Sequence, residues 1–325
     1  MTAAGPAPAG DNGPMRPFRF LADAREIVPG AELAERARRA EDLGYHALVI
    51  PDHLLGQLSP IVAMTAIAAA TTTLRVGAFV LNNDLRHPVV LAQDLAAVDV
   101  LSGGRLDVAI GAGWNKPEYD AIGLTFDPAP VRQARLAEAV TVLKKCLSGQ
   151  AFSFAGEHYR VTGHTGEASA QRPHPPIFIG GGGRRTLTLA AREADIVGLA
   201  PRVTPRGPDA RSLTLEATRE KIDWVAQAAG DRFADLEFNV YPSAWPPVLT
   251  DDLAGEVATV VAALEERTGT RLTEREVLDS PHLFIGSVGR LAEKFEQLRA
   301  ELGITSFMLG ALGGLDPVVT RLAGT

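Results

Sequence analysis

Between Pro175 and Val197 the chain reads PPIFIGGGGRRTLTLAAREADIV. An apolar, strand-like run stops at four consecutive glycines, Gly180, Gly181, Gly182 and Gly183, and Arg184 and Arg185 open an amphipathic segment behind them. A backbone without Cβ atoms lets a bulky anion come close to the main chain. The first turn of the following helix offers free N–H groups and a positive dipole end, and arginine matches phosphate geometry. The pattern predicts a phosphate site, with a merely flexible turn as the competing reading. It is not a Walker A loop, since no Gly-Lys-Ser/Thr follows, and the GxGxxG spacing is absent.

Three other clusters carry chemically useful groups. Pro51-Asp52-His53 places an imidazole after a carboxylate, and histidine exchanges protons near neutral pH; a lone histidine is more often structural. Val80-Leu81-Asn82-Asn83 offers paired amides to a polar heterocycle, or equally caps its own loop. Gly111-Ala112-Gly113-Trp114-Asn115 leaves room for a flat ring with Trp114 as a wall, or forms a tight turn beside a core tryptophan. Glu118 and Asp120 could serve as catalytic carboxylates, although loop carboxylates are mostly just solvated, and Arg135, Lys144 and Lys145 read as a solvated helix face. No Cys/His cluster has zinc spacing and no GxSxG elbow occurs, so no metal site is expected.

The elements that must position these clusters alternate regularly. Strand-like runs lie at Phe18–Ala22, Ala47–His53, Leu74–Asn82, Arg105–Gly113, Pro175–Gly183, Asp195–Ala200, Glu237–Ser243 and Ile304–Gly310. Helical periodicity separates them: Leu33, Ala37 and Ala40 before Gly44; a helix capped by Ser59 with Pro60 first; one from Pro88 to Gly103–Gly104. Further stripes are Leu136, Val140, Leu143 and Leu147, and Leu291, Phe295, Leu298 and Leu302. Eight strands alternating with helices make the fold class α/β, a (β/α)₈ TIM barrel, and the near-continuous apolar strands suit a buried parallel sheet. In that fold chemistry sits after the strands, where all four clusters fall. Phe152–Gly163 reads as a hairpin insertion and Pro201–Ala210 as a Pro-rich one.

Composition narrows the class. The 325 residues, 46% hydrophobic and 22% charged, support one large core. A net charge of −7 without a basic stripe argues against nucleic acid as partner. Residues 1–14 read as a disordered Pro/Ala/Gly tail ahead of a single domain at 15–325. No membrane span and no signal peptide are seen, which makes the cytoplasm the expected location. The one cysteine, Cys146, excludes a disulfide framework and reads as a buried thiol.

The run LRVGAFVLNNDLRHPVVLAQDLAAVDVLSGGRLDVAIGAGW resembles the luciferase-like flavin and deazaflavin oxidoreductases, above all in Leu-Ser-Gly-Gly-Arg before a strand ending Gly-Ala-Gly. PDHL, the PPIFIGGGG strand and FIGSVGRLAEKFEQLRAELGI match as well, so the likeness spans most of residues 18–310 and is greatest to the branch using the deazaflavin coenzyme F420. It implies a homodimeric TIM barrel acting on a small-molecule substrate, with a cofactor ring across the mouth. It also implies a non-proline cis peptide near Phe79–Val80, a cofactor phosphate on Gly180–Gly183 beside Arg184, and His53 near the reacting carbon in proton transfer. Asp52, Phe79, Val80, Leu81, Asn82, Ala112, Gly113 and Trp114 would then border the ring. Arg86, Arg184, Arg185 or Arg202 at the mouth would favour the acidic tail of F420. Two departures stand out: Gln57 replaces a tryptophan and Trp114 a glutamate found in the sugar-phosphate dehydrogenases of that branch. They argue for hydride delivery to a C=C or C=N bond by the reduced cofactor. An FMN-dependent monooxygenase is the alternative enzyme, and a non-catalytic flavin-binding barrel the alternative of another class.

Overall fold

Apolar runs of four to eight residues, too short for stable helices, are protected here by pairing side by side. The computed structural model describes residues 16–54, 56–204 and 207–325; the expected tail lies outside them. The barrel strands are β1 (Arg19–Asp23), β2 (Ala47–Ile50), β3 (Arg75–Ala78), β4 (Leu106–Gly111), β5 (Ile177–Gly181), β6 (Ile196–Leu199), β7 (Glu237–Val240) and β8 (Ile304–Ala311). All pair in parallel, in the order β3-β2-β1-β8-β7-β6-β5-β4, and β3 meets β4 to close the α/β barrel. The third stave is interrupted: Phe79–Val80 is a cis peptide, at the place the resemblance implied, and Leu81–Asn82 then pairs with Ile110 and Gly111 of β4.

Alternation along each strand divides the core. One face packs under the helices; α1 (Gly30–Asp42) buries Leu33, Ala37 and Ala40, the stripe read from its spacing. The stripes of α5 (Ala129–Leu147) and α10 (Val288–Leu302) are buried in the same way, each large apolar side chain contributing about 1.5–3 kcal/mol. Cys146 is buried there, and desolvation pushes its thiol up to about 11. The other face fills the barrel: Leu21, Ala47, Val49 and Met308 with Phe79 and Tyr241, and Ala109, Phe178 and Ile196 with Phe79 and Val80.

The remaining helices are α2 (Pro60–Ala70), α3 (Pro88–Leu101), α4 (Lys116–Ile122), α6 (Arg184–Glu193), α7 (Leu215–Ala229), α8 (Leu253–Thr268), α9 (Glu274–Asp279) and α11 (Asp316–Leu322). Ser59 holds the N-cap position of α2, with Pro60 first, but its side chain makes no capping hydrogen bond. The first insertion is an antiparallel hairpin, Ala151–Ala155 with Arg160–Thr165. The second carries the short pair Val203–Thr204 and Gly207–Pro208. A separate apolar cluster, including Leu213, Val257, Val260, Leu264 and Leu283, forms under α8 and α9. No helix among the described residues is long and apolar enough to cross a membrane.

Candidate active site

Strand β2 delivers His53 to the C-terminal mouth. Its Nδ1 lies 2.9 Å from Glu118 Oε1, and the Glu118 side chain is only 5% exposed. An ionised carboxylate only accepts, so Nδ1 carries the proton and Nε2 is the ring nitrogen left for chemistry. Glu118 stands in the first turn of α4, whose Pro117 suits a helix start. Its expected solvation is therefore overturned: α4 folds it back under His53. Asp120 is solvated, paired with Lys116 at the surface. The Trp114 ring meets His53 edge to face at 5.7 Å and is 65% exposed, so it is not a core tryptophan.

The neighbouring Asp52 is spent on architecture. Its Oδ2 accepts the Asn82 backbone N–H at 2.9 Å and Arg86 Nη1 at 2.6 Å, while Oδ1 accepts Arg86 Nη2 at 3.0 Å. This bidentate clamp ties the end of β2 to the short strand beyond the cis bond and neutralises Arg86. Asn82 Oδ1 accepts from the Asp84 backbone and from the Tyr119 hydroxyl, at 3.1 and 3.0 Å. Asn83 Nδ2 donates to Tyr159 of the hairpin at 3.3 Å. Of the two readings of the paired asparagines, these contacts realise the loop-holding one. Burial, with Asp84 adding to it, pushes the Tyr119 phenol up to about 12, so it remains a donor.

Gly113 is forced by packing. Its φ is +75°, and a Cβ there would strike the Tyr119 hydroxyl and come within 2.6 Å of Asn82 Oδ1. Arg132 donates to the carbonyls of Ala112, Gly113 and Asp127, with its guanidinium 4.0 Å from the Phe126 ring centre. Arg135 pairs with Asp84 at 2.9 Å and with Asp127, and Lys144 with Glu193; these two side chains are not the solvated face the spacing suggested.

Phe79 forms the floor, 5.4 Å from the Phe178 ring and 5.6 Å from Tyr241. Desolvation pushes the Tyr241 phenol up to about 12. At the far side is the glycine turn, and its members differ. A Cβ on Gly180 would press on Phe178 at 3.1 Å, one on Gly181 on Thr186 at 2.7 Å, and one on Gly182 would strike the Pro201 carbonyl; one on Gly183 meets nothing within 4 Å. Gly183 is the N-cap of α6, and no side chain caps it. No N-cap side chain takes the first-turn N–H groups of α6, the arrangement that can accept an anion. Arg184 donates to Gln227 Oε1 at 3.1 Å, and Arg185 is exposed.

The fold brings the expected residues, from Asp52 and His53 through Phe79–Asn82 and Ala112–Trp114 to Gly180–Arg184, to one end of the barrel. Reading the sequence left Glu118 between catalysis and solvation, and missed Tyr119. The signal for both was the Asn-Lys-Pro-Glu start of a short helix directly after Trp114.

A family model described as luciferase-like monooxygenase matches residues 15–306. The chain is 34% identical over 231 residues to an F420-dependent glucose-6-phosphate dehydrogenase of Kineococcus radiotolerans, covering 68% of this chain and 67% of that protein. It is 37% identical over 131 residues to an FMNH(2)-dependent dimethylsulfone monooxygenase of Pseudomonas putida, covering 40% of this chain and 36% of that protein. The solved coenzyme F420-dependent tetrahydromethanopterin reductase of Methanopyrus kandleri superposes with a TM-score of 0.73 at 19% identity, over 95% of this chain and 98% of that one, a likeness of fold.

Proposed function

The chain belongs to the luciferase-like monooxygenase family, and from that premise we propose that it uses reduced coenzyme F420 to reduce a C=C or C=N bond of a small organic molecule. The observation that carries this reading is the His53–Glu118 pair at the barrel mouth. When bound, the reduced cofactor supplies the hydride. Adding a hydride to one atom of a double bond leaves the other needing a proton. His53, held by Glu118 through Nδ1, gives that proton from Nε2 and is recharged from solvent. Phe79, Val80, Leu81, Asn82, Ala112 and Gly113 border the ring, with Asp52 acting through its clamp on Asn82. The N–H groups behind Gly183, with Arg184 alongside, hold the phosphate. That contact is remote from the chemistry, so its binding energy goes into orientation.

The same reading includes a homodimer. Helices α2 and α3 turn Val62, Ala66 and Ala69, and Val90, Ala97, Val100 and Leu101, to the exterior. Helices apolar on all sides are usually covered, and a second copy is the proposed cover.

Titration of the purified protein with F420 and with FMN, followed by absorbance, tests the cofactor. Saturable binding of F420, with FMN at least tenfold weaker, is expected. The reverse order would favour the monooxygenase reading, which the resemblance to the dimethylsulfone enzyme supports.

A further inference from the structure

The mouth carries its charge unevenly. In the segments after β1 to β4, residues 24–29, 51–59, 79–87 and 112–128, the Lys and Arg residues are Arg25, Arg86 and Lys116. Each is in an ion pair, with Asp23 at 2.5 Å, Asp52 at 2.6 Å and Asp120 at 2.6 Å. Arg132 and Arg135, which approach from α5, are committed to backbone carbonyls and to Asp84 and Asp127. The segments after β7 and β8, residues 241–252 and 312–315, hold no Lys or Arg. Among the described residues of 182–185 and 200–214, after β5 and β6, are four arginines, at 184, 185, 202 and 211, against one acid, Asp209; Arg211 is paired with Glu276 at 2.7 Å, and Arg184, Arg185 and Arg202 are in no ion pair there.

Positive charge is therefore concentrated beside the glycine turn, and the sector around His53 has none to spare. That sector instead has Glu118, buried behind His53, and an exposed apolar surface: Trp114, 65% exposed, and Leu54, 45% exposed. A carboxylate or phosphate seated against His53 would find that ring already paired with Glu118 and, among the described residues of the sector, no unpaired Lys or Arg to repay its desolvation, a cost that specific sites use to reject ligands. The exposed indole, set edge to face against His53, offers a surface for a flat π-system.

We propose that the substrate is an uncharged, planar, conjugated molecule that lies against Trp114 with its acceptor bond beside His53, and that anionic analogues of the same shape are excluded. This rests on the cofactor reading for the direction in which the ring points, and it assigns the two halves of the mouth to two different ligands.

The test uses matched flat probes, methyl cinnamate against cinnamate and 2-naphthaldehyde against 2-naphthoate, titrated calorimetrically into the protein saturated with oxidised F420. The neutral member of each pair should bind at least tenfold more tightly. Trp114→Ala should lose at least tenfold for the neutral probes, and Glu118→Gln should tighten binding of the two carboxylates at least fivefold. F420 affinity is measured separately on each protein by absorbance. If F420 fails to bind, the cofactor reading falls, while the same probe titrations on the protein alone still decide the substrate class. Equal or tighter binding of the carboxylates, no binding of either neutral probe, or indifference to Trp114→Ala would overturn the proposal.

Discussion

The two ends of the barrel spend their charges differently. At the N-terminal end, Arg19 bridges Asp107 at 3.0 Å and Glu237 at 2.6 Å, and Arg75 holds Asp107 again at 2.6 Å. Arg75 also donates to the Leu106 carbonyl and to Gln171 Oε1, which ties these charges to the strand start and the loop before β5. Arg19 and Arg75 each face an acid there. At the C-terminal mouth, one ion pair, Asp52–Arg86, is equally closed, but it serves to fix the backbone that carries His53. Around it the chain leaves groups uncommitted: the Nε2 face of His53, the Trp114 ring and the N-terminus of α6. The closed end holds the barrel together, while the open end is rigid only where rigidity places a reactive atom.

The largest expected separation between the ends is in His53→Ala. Turnover should fall about 10²–10⁴-fold, the usual worth of a general acid, with F420 affinity and the denaturation midpoint little changed. A loss of F420 binding of the same size would instead make His53 a binding residue. Arg19→Met should do the opposite. It strands Glu237, while Asp107 keeps Arg75, in a mostly buried setting and should cost about 3–5 kcal/mol, read as a lower urea midpoint, while turnover at a permissive temperature stays within twofold. If the two variants behaved alike, the division of labour would be wrong.

Each end also has a buried histidine, and these titrate against the unfolded chain. Desolvation first, then Arg19, lowers His46 at the closed end to about 3; desolvation first, then Lys221, lowers His282, beneath Tyr241, to about 3. Unfolded, both take up protons below about 6.5. Between pH 6.5 and 3 the unfolded chain therefore binds more protons than the folded one, and stability falls as pH falls through that window. By pH 5 each histidine should cost about 2 kcal/mol relative to pH 7. His282→Asn should flatten its share of the midpoint-against-pH curve; an unchanged slope would remove His282 from the account.

How much of this could be read from the sequence depended on range. The barrel was legible because every strand is a local apolar run and every helix a local stripe, as Leu33, Ala37 and Ala40 illustrate. The strand-end residues were legible because the fold rule sends them to one mouth. Partners were not. Glu118 lies 65 positions from His53, and Asp84 lies 51 from Arg135; local charge patterning makes such residues look solvated. The glycine run misled in a subtler way, since three of its four members accommodate the protein's own packing.

The His53–Glu118 contact gives a smaller effect than loss of the histidine itself. Glu118→Gln keeps the shape and a hydrogen-bond acceptor but removes the charge that steadies a protonated imidazole. About a tenfold drop in kcat is expected, with KM little changed. A purely structural Glu118 would lower stability and leave kcat in place.

The smallest and sharpest test concerns Gly183. Its φ of −116° is open to any residue, and a Cβ there meets nothing. Gly183→Asp would therefore enter without strain and supply the capping oxygen that α6 lacks. An N-cap aspartate exceeds glycine by a few tenths of a kcal/mol and adds favourable charge at the helix start, so the denaturation midpoint should rise slightly. That same carboxylate would take the N–H groups proposed to hold a phosphate and repel it, so the F420 Kd should rise at least tenfold. Opposite signs from one substitution are what a ligand-accepting helix end requires. A more stable protein with unaltered F420 affinity would show that the turn after β5 is no more than a turn.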